Sequence, residues 1–159
     1  MDQLRTTPGY TEASLVVQKQ LAHNPTWFIQ QKGRHLNPAS IASALGKVLV
    51  TAFLAGFVND ATGSANQADR SVFQPLDRLI EGLLSGHMDM HESGIEDLAI
   101  QAPAVVAVST PSDTYVYAEN CEIRLEAFLA TRLPKNHAES LARLIRTAVL
   151  RNIFDMPSF

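Results

Sequence analysis

From Asn37 to Val58 the chain reads NPASIASALGKVLVTAFLAGFV, and the spacing of its polar positions changes halfway along. Stepped at about 100° per residue, Ser40, Ser43 and Lys47 gather on one side, opposite Ala42, Leu45 and Leu49. Past Lys47 no polar side survives. Ala44, Val48, Thr51, Ala52, Ala55 and Gly56 make a smooth flank, and Val50, Phe53, Leu54 and Phe57 a bulky one. A helix that is apolar all round is normally buried all round, so this segment is predicted to be the central helix of the core. Pro38 suits the first helical position because its missing N–H would be unpaired there, and Asn37 supplies the cap. A transmembrane span takes about 20 apolar residues, and the uncharged run from Val48 to Val58 is too short for one. No membrane association is expected.

Other helical periods flank this one. Thr11 is placed to cap a helix through Leu21 with Ala13, Val16, Val17 and Leu21 inward, stopped by Asn24 and Pro25. Residues 1–10 read as a loose N-terminus. The run TWFIQQKGRH fits a short extended segment ending at Gly33, with continued helix as the alternative. Residues 59–70 are small and polar, an internal loop. From Ser71 onward Val72, Leu76, Leu79, Ile80, Leu83 and Leu84 share a helical face. Pro75 confines the start to Val72 or later, and Gly86 ends the helix. Residues 95–101 allow a further helical turn or two before Pro103.

Beyond Pro103 the period changes. A β-branched run in AVVAVST leads to Thr110-Pro111-Ser112-Asp113, a turn signal, and then to Tyr115, Val116 and Tyr117, which together predict a hairpin. Over residues 121–130 polar Glu122, Arg124 and Glu126 alternate with Cys121, Ile123, Leu125 and Ala127, as in a half-buried strand. A helix there is the alternative, since Leu125, Phe128 and Leu129 would share a face. The C-terminal helix is expected to be capped by Asn136 with Glu139 three residues on, to bury Leu141, Leu144, Ile145, Ala148 and Val149, and to pair Glu139 with Arg143. The predicted class is therefore α+β: N-terminal helices with a central buried helix, two to three antiparallel strands, and a C-terminal amphipathic helix packed on the sheet.

At 159 residues, 46% hydrophobic and 18% charged, the chain suits a single globular domain over 1–159. A single cysteine, Cys121, rules out an internal disulfide, and MDQLRTTPGY lacks the apolar core of a signal peptide, so a cytoplasmic location is the default. A net charge of −3 argues against broad attraction to nucleic acid. Lys32, Arg34 and His35 beside Trp27 and Phe28 are too few to reverse that. The charge is unevenly spread. Between Glu81 and Glu126 nine acids face the single base Arg124, whereas the tail carries Arg132, Lys135, Arg143, Arg146 and Arg151 against Glu139 and Asp155. Two solvated faces that neutralise each other across the fold or a dimer account for this. The sharper account is an acidic surface for a protein partner with a basic surface.

Candidate chemistry concentrates in His87-Met88-Asp89-Met90-His91-Glu92. In an extended chain His87, Asp89 and His91 point the same way, and in a helix His87 and His91 share a face at the spacing of a two-histidine metal site. Imidazole and carboxylate suit a divalent, zinc-like metal, and an open coordination position would activate water with Glu92 as general base. HEXXH is absent, as is any cysteine pair; His23, His35 or His137 could complete a site, but sequence does not place them nearby. A Cys121 and His137 nucleophile pair would need a proximity that sequence does not supply. No GXSXG elbow, P-loop or dinucleotide fingerprint is present. The expectation is a small cytosolic protein-binding or assembly module acting through surface and homo-oligomer contacts. The alternatives are a metal-dependent hydrolase built on His87, Asp89, His91 and Glu92, and a small-molecule-binding domain gated by residues 59–70.

Overall fold

The computed structural model describes residues 3–24, 38–62, 74–84 and 95–157, and among them every regular element is helical. A 3-10 turn (Gln3–Thr6) leads into α1 (Tyr10–His23), α2 (Pro38–Ala61), α3 (Gln74–Leu84), α4 (Ile95–Ala99), α5 (Ala102–Ala107), α6 (Pro111–Leu129) and α7 (Lys135–Ala148), which runs on into a π-helical turn (Val149–Ile153). The α+β expectation is overturned, and the described chain is all-α.

The difference from a hairpin begins at Thr110. Its residues TPSD do not turn a hairpin but start a helix: Thr110 is extended, its Oγ1 accepts the Asp113 N–H at 3.0 Å, and Pro111 sits where no N–H is needed. Helical spacing then governs α6. Thr114, Ala118, Cys121, Leu125 and Leu129 recur every three or four residues and are buried. Ile123 and Ala127, expected on the inner face of a strand with Cys121 and Leu125, are instead exposed on the far side of the helix. The alternation arose because Glu122 and Arg124 sit at the helix flanks, where they reach neighbouring helices. Pro103 likewise opens α5 rather than a strand, so the β-branched run Val105-Val106 is helical.

The central helix stands as predicted. α2 is 24 residues long, about 36 Å at 1.5 Å per residue, and Val48 to Val58 are buried without a break. Ser40 is exposed, Ser43 and Lys47 are half-buried, and Ala42, Leu45 and Leu49 are buried, which is the amphipathic first half. By length and composition α2 is able to cross a membrane, yet most of it is enclosed by this chain's own helices. Every other described α-helix packs on it. Burying a phenylalanine such as Phe53 or Phe57 contributes about 2 kcal/mol relative to leaving it exposed.

The ends of the described chain are tied to this core. Leu4 is buried, and α1 starts at Tyr10 after an N-cap Gly9 rather than at a Thr11 cap. Ala13, Val17 and Leu21 face inward, while Val16 is exposed. The Tyr10 hydroxyl lies 2.9 Å from Thr51 Oγ1 on α2. α3 starts at Gln74 and buries Leu76, Leu79 and Ile80. α2 continues through Ala61, into the stretch expected as loop. In α7, Pro134 occupies the N-cap and Asn136 lies in the first turn, exposed. Leu141, Ile145, Ala148 and Val149 are buried and Leu144 half-buried, packed against α1, α2 and α6 rather than a sheet. Phe154 returns to the core, its ring 4.9 Å from that of Phe57.

Candidate functional site

His87, Asp89, His91 and Glu92 lie outside the described residues, as do Lys32, Arg34 and His35. Among the described residues no group of three or more histidine, cysteine or acidic side chains is placed to hold a metal ion. Of the histidines considered as further ligands, His23 is exposed with Nδ1 2.8 Å from the Lys19 carbonyl, and His137 is half-buried at the start of α7.

Polar side chains do converge where α6 crosses the end of α2. Arg124 donates to Asp60 at 3.2 Å and to the Gly56 carbonyl at 3.4 Å, and the Asn120 amide donates to the other Asp60 oxygen at 3.3 Å. The guanidinium thus meets both a carboxylate and the negative end of the α2 dipole. Beneath them Cys121 donates its thiol to the Phe53 carbonyl at 3.3 Å. Burial pushes this thiol up to about 12, against a downward pull from Arg124. At neutral pH it is therefore protonated and unreactive, because the thiolate is the nucleophile. The cluster clamps α6 to the end of α2.

Three further ion pairs link acids earlier in the chain to its basic tail. Arg132 pairs with Asp77 and with Glu81 at 3.1 Å on α3, and Arg146 of α7 approaches Glu122 of α6 to 2.7 Å. Burial raises the Glu122 carboxyl above its ordinary value, opposed by Arg146 and Arg143. Part of the charge imbalance along the sequence is cancelled within the fold in this way. Glu139 and Arg143 form the expected surface pair at 3.6 Å.

Among the described residues the core leaves five large apolar side chains exposed, Leu15 and Val16 on α1, Val108 after α5, and Val116 and Ile123 on the outer side of α6. Val116 is 51% exposed and Ile123 60%, and Asn120, Ala127 and the following Ala130 are exposed with them. These positions step by four, three, four and three residues, the spacing of one continuous helical stripe. α6 therefore carries a buried face and, opposite it, a second apolar face. The stripe was present in the sequence, but reading residues 121–130 as a strand turned Ile123 and Ala127 inward and hid it. No protein-family model, curated protein or solved structure matches this chain.

Proposed function

We propose that this is a helical protein-binding module that works through surface and oligomer contacts, with the outer side of α6 as its binding face. The observation that carries the reading is the exposure of Val116 and Ile123 directly opposite a fully buried α6 face. Branched aliphatic side chains in water at a seven-residue interval are a hydrophobic cost that a protein partner removes, at about 25 cal/mol for each Å² covered. The setting supports this. Glu119 and Glu126 border the stripe and would orient a partner electrostatically, while Cys121 behind it is inert.

Photo-crosslinking in the native cell tests the reading. Benzoylphenylalanine at Ile123 or Ala127 should give discrete protein adducts, and at Ser140, exposed on α7, it should not. Absence of any α6 adduct from the folded chain, or equal labelling from all three sites, would overturn it.

A further inference from the structure

The spacing on the outer side of α6 is that of a two-stranded coiled coil. Placing Val116, Ile123 and Ala130 at d puts Asn120 and Ala127 at a, and every one of the five is exposed. The remaining register agrees with the fold: Ala118, Cys121, Leu125 and Leu129 fall at f, b, f and c, away from the seam, and are buried in this chain's own core. Tyr117 and Arg124 then occupy e, and Glu119 and Glu126 occupy g.

We infer that the outer face of α6 pairs with the same face of a second copy of this chain, parallel and in register. The inference rests on α6 being the binding face. Charge decides the orientation. In a parallel pair the g residue of one helix meets the e residue five positions on in its partner, so Glu119 meets Arg124 twice across the axis. An antiparallel pair would bring g against g, acid against acid, at Glu119 and Glu126. Arg124 holds Asp60 at 3.2 Å and the Gly56 carbonyl at 3.4 Å, and its guanidinium would share its charge between Asp60 and the partner's Glu119. Asn120 at a adds register. An amide at that position specifies two strands by pairing with its counterpart, at a cost in affinity, and one Asn120 N–H is already oriented by Asp60. Asp113, the preceding a position, places like charges together and ends the seam at its N-terminal side. From Val116 to Ala130 the seam covers little more than two heptads with two alanines, which sets a reversible dimer rather than an obligate one.

The test uses the full chain. Sedimentation velocity over a concentration series should show a monomer–dimer equilibrium, and Ile123→Glu should abolish the dimer without lowering the thermal midpoint measured at concentrations where the wild type is monomeric. Glu119→Lys should weaken association roughly threefold or more, by turning an attraction into a repulsion. Orientation is read by oxidation of variants with one added surface cysteine, the native Cys121 being buried. In a parallel pair Val116→Cys and Ala130→Cys each form a disulfide with themselves. In an antiparallel pair they crosslink only when the two variants are mixed. A monomer throughout the series, or the mixed-only pattern, overturns the inference. If the chain stays monomeric yet still photo-crosslinks to another protein through Ile123, the binding face stands and self-pairing falls.

Discussion

Gly9 is pressed against the backbone of Asn152: a β-carbon at Gly9 would lie 1.7 Å from the Asn152 carbonyl oxygen and 2.9 Å from the nitrogen of Ile153. Gly9 also has φ +81, in the left-handed region that only glycine enters freely. The carbonyl it meets belongs to the π-helical turn, where Phe154 N–H reaches back to Val149 at 3.1 Å and Met156 N–H to Leu150 at 2.8 Å. That widened turn carries the backbone onto the start of α1, and Asp155, with φ 52, then turns the chain away. Gly9→Ala combines a strained backbone with a collision against backbone atoms that have no side-chain rotamer to yield. It should cost about 3 kcal/mol or more, seen as a fall in urea midpoint with the slope kept.

The crossing of α1 and α2 predicts two changes of opposite sign. A β-carbon on Gly46 would lie 2.4 Å from Gln18 Cγ and 3.0 Å from the Ser14 carbonyl, so the helices touch nearly backbone to backbone. Ser14 is buried there, and its hydroxyl has no hydrogen-bond partner among the described residues. Ser14→Ala removes the unsatisfied hydroxyl at no cost in volume and should stabilise by about 1 kcal/mol. Gly46→Ala gains helix propensity of about 1 kcal/mol but forces the helices apart, and should destabilise on balance. Thermal midpoints of the two variants read the signs directly, and a rise for Gly46→Ala would show that the crossing has slack.

The Thr110 cap separates what was legible in the sequence from what was not. α2 was readable because an apolar run with Pro at its first position admits one interpretation, and α7 because its stripe is strongly periodic. α6 was not, since Thr-Pro-Ser-Asp serves equally as a β-turn and as N-cap through N3, and local chemistry does not choose between them. The choice is made by packing: Cys121, Leu125 and Leu129 all meet the core only at helical spacing. The same misreading concealed the outer stripe, while the histidine cluster of residues 87–92 lies outside the described structure. If Thr110 is a cap, Thr110→Ala should lower stability by about 1 kcal/mol and Thr110→Asp should restore most of it. Equal losses from both would mean that the Thr110 methyl or hydroxyl packing matters more than the cap.

Glu122 sets two effects against each other, and pH decides which is larger. Desolvation raises its carboxyl above the ordinary 4.5, and the nearby Arg146 and Arg143 lower it by less. The folded state therefore holds the Glu122 proton more tightly than the unfolded chain does. By linkage, the stability contributed by the protonated group is fully present below about 4.5 and is lost as pH rises through the higher folded value. Glu122→Gln keeps the shape and removes the titration. Relative to this variant, the wild type should lose stability from just above 4.5 toward neutrality and show no further change beyond. Urea midpoints of both proteins across that range give the difference. A wild type that instead gains on the variant as pH rises would mean that the 2.7 Å approach of Arg146 outweighs the burial of the carboxylate, and that the α6–α7 contact is held by charge as well as by its leucines.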